Sequence, residues 1–181
     1  SVDGQQAAGE CASYLNQWGG DVWIMVTMFD DCSQNRLVGG LPAALYRMGA
    51  SREVFESPKF AYRSAYHLLG SPGLAEGQAS SEKYRGDKSS SADSFFDVCF
   101  EYADDGWPQQ IGIPFLEQRS TIYSRVVGYQ VRGASGFPGH YPPNRSVNRG
   151  YTVVSGVRYF DSRGFNVYVI DKDTHKVKER R

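Results

Sequence analysis

The segment from Asp21 to Phe29 constrains the fold most. It reads Asp-Val-Trp-Ile-Met-Val-Thr-Met-Phe, a nearly continuous apolar run of branched and aromatic side chains that is too short for a buried helix. We interpret it as a β-strand that is covered on both faces. Such a strand needs a layer of structure on either side, which favours packed layers over a one-sided meander.

Two segments have the spacing of amphipathic helices. Apolar residues recur at three- and four-residue steps from Gln5 to Trp18, and Gly19-Gly20 follows as a stop signal. The second segment, Leu41 to Met48, has a proline in its first turn and a glycine directly after it. With 181 residues and 40% hydrophobic side chains, the chain has the size and composition of one domain covering residues 1–181.

The remaining patterns predict mostly strands. Ser71 to Ser94 is rich in Gly, Ser, Lys and Glu without periodicity, so we expect a long loop there. The expected strands are Phe60–Leu69, Ser94–Tyr102, Gln110–Phe115, Thr121–Arg132 and Tyr151–Val157, followed by a hairpin over 166–180. The order of elements predicts an α/β domain with a two-sheet, sandwich-like core flanked by short helices.

Charge and hydropathy exclude several classes of partner. Lys plus Arg and Asp plus Glu number 20 each, so no overall field attracts nucleic acid, and we expect no nucleic-acid partner. The longest apolar run is far below the ~20 residues that span a bilayer. The sequence starts at Ser1 without an apolar leader, so we expect a soluble and already processed protein with no membrane insertion.

The cysteines indicate a compartment. Cys11, Cys32 and Cys99 have no CxxC spacing and the histidines are scattered, so we expect neither a metal site nor another cofactor. Three thiols suit one disulfide and one remaining Cys in a secreted protein, or three buried thiols in a cytosolic one. We favour secretion, and Asn144-Arg145-Ser146, an N-glycosylation acceptor in a loop-like stretch, agrees with it.

Several short blocks resemble the ILEI/PANDER domain, which is found in the interleukin-like inducer family of secreted proteins. Arg163-Gly164-Phe165-Asn166-Val167 resembles the family's RG-x-N-V hairpin. Val26 to Asp31, and then Tyr62 to Tyr66, resemble its "VTYDDG" and "FRSSW" blocks, and Gly106-Trp107-Pro108 resembles its GWP block. In the family the hairpin precedes the VTYDDG strand, whereas here it follows, so the chain resembles a circular permutant in which Lys178 to Arg181 rejoin a segment like Ser1 to Ala8.

The resemblance implies a non-enzymatic protein with a two-sheet fold. Family members include cytokine-like proteins and a lectin stem domain that holds terminal N-acetylglucosamine through two arginines and an aspartate. The matching residues here are Arg163, Asp30 and Arg63. A carboxylate that accepts, beside guanidinium groups that donate, can satisfy neighbouring sugar hydroxyls. Tyr66 is expected to form an aromatic wall for the N-acetyl methyl group.

The same residues allow other interpretations. From their spacing alone, Asp30, Arg63 and Arg163 fit an internal ion-pair network at strand ends. The alternative function is a cytokine-like signalling or protein-interaction domain with no sugar ligand, and a third is a glycan-processing enzyme. One monosaccharide site would bind only near millimolar, so a lectin would need avidity. We therefore expect a homo-oligomer, for example a dimer linked by the odd cysteine.

Overall fold

The computed structural model describes residues 2–29, 33–60, 64–85, 95–112, 121–128 and 150–181. Within these residues, three α-helices and a short 3-10 helix, Ser33–Asn35, accompany ten strands in two five-stranded antiparallel sheets. The helices are α1 (Val2–Leu15), α2 (Leu41–Arg47) and α3 (Arg52–Phe55). The strands are β1 (Val22–Phe29), β2 (Ala65–Gly70), β3 (Ser81–Arg85), β4 (Phe95–Tyr102), β5 (Pro108–Ile111), β6 (Thr121–Val127), β7 (Tyr151–Val154), β8 (Val157–Phe160), β9 (Gly164–Asp171) and β10 (Val177–Arg180).

The predicted central strand is confirmed. β1 lies in the middle of the first sheet, whose order is β10-β9-β1-β2-β3, and all eight of its residues are buried. Its alternate side chains belong to different cores. Ile24 and Val26 pack towards the helices, whereas Trp23 and Met25 pack towards the second sheet, whose order is β5-β4-β6-β7-β8. The molecule therefore has three layers, helices on one sheet and that sheet on another, as the two-faced burial of β1 requires.

Both predicted helices are present. α1 begins and ends about three residues earlier than the spacing suggested, and α2 begins at Leu41 with Pro42 in its first turn, as predicted. The chain leaves α2 through Gly49, which has a φ of +100° that glycine adopts without steric cost. α3 was not predicted, because four residues are too few to show a helical period.

One loop prediction and one strand prediction were wrong in part, and the strand expected over Phe60–Leu69 begins at Ala65, as β2. The expected loop from Ser71 to Ser94 contains β3, which pairs with β2 at the edge of the first sheet. The expected single strand from Tyr151 to Val157 is two strands, β7 and β8, joined by a tight turn at Ser155 and Gly156. Both turn residues have positive φ, the geometry of a two-residue hairpin.

The predicted hairpin at the end of the sequence is confirmed as β9 and β10. The Asp171 carboxylate accepts hydrogen bonds from the backbone N–H groups of Asp173 and Thr174, both at 2.8 Å, which closes the turn. Beyond the turn, the last strand lies beside α1, because the Arg181 guanidinium sits 5.0 Å from the centre of the Tyr14 ring. The end of the sequence therefore lies against the second half of its first helix.

Candidate functional site

A cleft of about 310 Å³ opens where the first half of α1 faces the start of β9. Glycine and alanine residues on one face of α1 leave room for it, since larger side chains there would fill the space. The residues that line it are Gly4, Ala7, Ala8, Cys11, Asn35, Arg163, Gly164 and Phe165. One of them, Arg163, is a residue that the sequence assigned to a ligand site.

Asn35 borders the cleft from the 3-10 helix. A Cβ atom at Gly4 would overlap the Asn35 side-chain amide, so that amide can occupy its position only because residue 4 has no side chain. The amide, both donor and acceptor, and Arg163 are the polar side chains in a wall that otherwise consists of small or apolar residues.

Asn166 fixes the turn that carries Arg163. Its Oδ1 accepts a hydrogen bond from the Ser162 N–H at 2.7 Å, and its Nδ2 donates to the carbonyl oxygens of Ser162 at 2.7 Å and Gly164 at 3.2 Å. The Asn166 side chain is 2% exposed, so these bonds are shielded from water. The backbone on both sides of Arg163 is therefore held by one buried amide, while the arginine itself is exposed.

The strand register brings three chain segments to this end of the first sheet. Phe29, the last residue of β1, pairs with Gly164, and Met28 pairs with Tyr66 near the start of β2. Two of the predicted sugar ligands, Asp30 and Arg63, lie outside the described residues, as does the glycosylation candidate Asn144. The end of β1, the start of β2 and the turn before β9 thus lie together at one end of the first sheet.

The structure places Tyr66 in the core and not at the cleft. Its ring is 0% exposed and packs 5.5 Å from Phe55 and 5.3 Å from Phe60, centre to centre. Its hydroxyl donates to a Glu82 carboxylate oxygen at 2.7 Å. The expectation of an aromatic wall at Tyr66 fails because this residue points towards the helices, and Phe165 is the aromatic residue that lines the cleft.

The cysteines in the described part of the chain are both free thiols. Cys11 is half-buried at the cleft, and Cys99 is buried on the second sheet, so these two are not paired with each other. Cys32 lies outside the described residues. Burial raises the pKa of Cys11 to about 11, against the opposing effect of Arg181, so the thiol stays protonated at neutral pH and is a poor nucleophile.

Sequence reasoning missed a buried polar group beside the turn. Asp161 is fully buried between the sheets, where its two carboxylate oxygens accept hydrogen bonds from the hydroxyls of Thr27 at 3.2 Å and Tyr168 at 2.5 Å. Burial, and then the charge of Asp161, raise the pKa of Tyr168. No spacing motif marks a lone aspartate of this kind, and only the pairing of the strands reveals its partners.

His67 is a second buried polar group. Its ring is 0% exposed, faces the second sheet and lies 5.5 Å from the Phe100 ring, centre to centre. Neither ring nitrogen has a hydrogen-bond partner among the described residues. Burial, with a smaller effect of Lys83, lowers the pKa of His67 to about 3, so the imidazole is neutral at physiological pH.

Comparison with known proteins gives no match to a family model, a curated protein or a solved structure. Among the described residues, no group of His, Cys, Asp and Glu side chains could hold a metal ion. None of the helices that the structure describes is long and apolar enough to cross a membrane. The cleft at Arg163 is the candidate functional site.

Proposed function

We propose that the protein is a secreted, non-enzymatic lectin of the ILEI/PANDER type, in circularly permuted order, whose cleft binds terminal N-acetylglucosamine. The observation that carries the proposal is the position of Arg163, at a cleft of about 310 Å³ and on a turn fixed by Asn166. That volume is at the lower end of the ~300–1,000 Å³ range of small-molecule sites, so it suits a single sugar ring.

The cleft has the chemistry that an N-acetylated sugar needs. The Arg163 guanidinium offers several donors to hydroxyl or carbonyl oxygens, and the Asn35 amide can both donate and accept. Ala7, Ala8 and Phe165 offer apolar surface for the acetyl methyl group and the C–H face of the ring. In this proposal Asp30 and Arg63 complete the ligand set. In the sequence Asp30 directly follows β1 and Arg63 is two residues before β2, and the described end of β1 pairs with Gly164 beside the cleft.

Titration calorimetry with N-acetylglucosamine, and with glucose as a second ligand, tests the proposal. A sugar of about 15 heavy atoms at roughly −0.3 kcal/mol per atom binds near millimolar, so millimolar sugar is required. We expect saturable heat for the N-acetylated sugar only, lost in Arg163→Ala. The matched control is Arg85→Ala, which removes an exposed arginine from the opposite edge of the same sheet.

Three results would contradict this function. Equal binding by wild type and Arg163→Ala would move the sugar site away from the cleft. No heat with either sugar would favour the alternative of a cytokine-like interaction domain. Conversion of an N-acetylglucosamine-terminated oligosaccharide over time would point instead to an enzyme. The proposed homo-oligomer is tested separately by light scattering of the unreduced protein, where a monomer mass would count against it.

A further inference from the structure

Cationic side chains are concentrated along one edge of the molecule. They lie on β8, on the turn before β9 and on the last six residues, and we call them the basic edge: Arg158, Arg163, Lys176, Lys178, Arg180 and Arg181. All six are exposed. Two acidic residues lie within these segments: Asp161, which is fully buried, and Glu179, which lies beside the Tyr14 hydroxyl. Two more, Asp171 and Asp173, lie at the turn between β9 and β10, and the charge of Lys178 contributes to lowering the pKa of Asp171.

This concentration is local, because the charges of the whole chain balance. Lys plus Arg and Asp plus Glu each number 20 in the whole sequence, so the positive excess on this edge is compensated elsewhere. A local cluster of one sign creates a surface potential although the net charge is zero. The basic edge can therefore attract an anionic partner that the composition alone does not predict.

Several of these cations are held on aromatic rings. The Arg180 guanidinium is 5.3 Å from the centre of the Tyr168 ring and donates to the Phe160 carbonyl oxygen of β8, so it links the two sheets. Arg158 lies 4.7 Å from the Tyr151 ring centre, and Lys178 lies 5.8 Å from that of Trp18. Side chains already placed in this way lose less conformational entropy when a ligand binds.

The basic edge is elongated. β10, the outer strand of the first sheet, and the residue on either side of it span roughly 20 Å at about 3.3 Å per residue. Arg181 pairs with Val167 through two backbone hydrogen bonds, of 2.7 and 2.8 Å. From there β9 runs back to Gly164, so Arg163 lies about 10–13 Å further along the same edge. The basic edge therefore extends from β10 to Arg163 at the cleft.

From this arrangement we propose that the basic edge binds a linear, sulfated polysaccharide. The proposal rests on the proposed sugar-binding function only for its choice of polysaccharide among polyanions. Single-stranded nucleic acid is disfavoured because proteins bind it by stacking bases on open aromatic faces, whereas the Tyr14 and Tyr168 rings on this edge are buried beneath cations. Sulfates along an extended chain match a row of separate cations without any stacking.

The test is binding of a heparin-derived oligosaccharide to the full chain, at several salt concentrations. The variant is Lys176→Gln with Lys178→Gln, which removes two exposed charges from the basic edge. The matched control is Lys83→Gln with Arg85→Gln, which removes two exposed charges from β3, the opposite edge strand of the same sheet. Circular dichroism and thermal unfolding check that both variants fold.

We expect salt-sensitive binding that weakens about tenfold in the first variant and little in the control, because only the first variant loses cations that face the polyanion. An equal loss in both variants, or none in either, overturns the proposal. So does binding of a single-stranded oligonucleotide, or of phosphatidylserine vesicles, that is as tight as binding of the oligosaccharide. Because Lys176 and Lys178 do not line the cleft, titration of this variant with N-acetylglucosamine separates a failure here from a failure of the lectin function.

Discussion

Asn166 is the residue on which the position of Arg163 depends. Its buried side chain makes three hydrogen bonds to the backbone on either side of that arginine. Asn166→Ala leaves these backbone groups without their partner, so we expect the free energy of unfolding to fall by about 1–3 kcal/mol. We also expect the affinity for N-acetylglucosamine to fall about tenfold, although Asn166 does not line the cleft.

The control for Asn166 is Ser162→Ala. Ser162 meets Asn166 only through its backbone N–H and C=O, and its side chain is exposed, so stability and sugar affinity should stay near those of wild type. Urea unfolding and calorimetric titration of both variants measure the two effects. Unchanged sugar binding by a folded Asn166→Ala protein would show that Arg163 is held by other contacts.

His67 makes the stability of the fold sensitive to acid. Its pKa is about 3 in the folded protein and near 6.5 when unfolded, so the unfolded chain binds the proton more tightly. The stabilisation is complete above about pH 6.5 and decreases as the pH falls towards 3. We expect a loss of about 2 kcal/mol between pH 6.5 and about pH 5.

Replacement of His67 by leucine, which suits the contact with Phe100, removes the titrating group. We expect urea unfolding of His67→Leu to depend less on pH over this range than wild type, and the variant to be the more stable of the two at about pH 5. The same acid dependence in both proteins would mean that other groups cause it.

At the scale of single elements, the start of β9 depends on glycine. Gly164 has a φ of +103°, and a Cβ atom there would meet nothing within 4 Å, so the cost of a side chain is backbone strain alone. We expect Gly164→Ala to lower the free energy of unfolding by about 1–3 kcal/mol. Gly112→Ala is the control, because its Cβ would also lie in open space and its φ is not in the left-handed region. Thermal unfolding of both variants measures this difference in stability. Equal Tm values would show that the positive φ at residue 164 does not require glycine.

An element could be predicted from the sequence where its own residues carry the pattern. β1 was predictable because a short, nearly continuous run of branched and aromatic apolar residues is typical of a buried strand. The β9–β10 hairpin was predictable because Asp171 begins a recognisable turn. β3 was not predictable, because it is an edge strand of mixed exposure and owes its conformation to pairing with β2. The hairpin of β7 and β8 was missed although Ser155-Gly156 is a turn signal. The residues from Tyr151 to Val157 also fit the alternating pattern of one continuous strand.

The candidate site also has one part that the sequence could predict and another part that it could not. Arg163 and the Asn166 that holds it are neighbours in a short motif, so the sequence could point to them together. The walls of the cleft come from α1 and the 3-10 helix, which meet β9 only through the tertiary fold. Tyr66 was misassigned because a strand with two buried faces gives no pattern from which to tell the helix side from the sheet side.

At the scale of the whole molecule, the layered packing predicts that the order of elements can be changed. Arg181 contacts Tyr14 in α1, and about 18 Å of helix separates Tyr14 from Val2, so the end of the sequence lies roughly 20–30 Å from the start of that helix. A flexible Gly/Ser linker of about twenty residues covers this distance. We expect a permutant that joins residues 181 and 1 and opens between Ser155 and Gly156 to fold, because the cut removes only a tight turn.

That permutant places the β9–β10 hairpin before β1, the order that the ILEI/PANDER resemblance implies. Circular dichroism, cooperative urea unfolding and titration with N-acetylglucosamine should match the parent chain, with some loss of stability from the opened turn. A second permutant with the same linker, opened between Met25 and Val26 in the centre of β1, should not fold, because it divides the strand that both cores share. Failure of both permutants would mean that the connection between β7 and β8 is needed for folding, and would count against a permuted relationship.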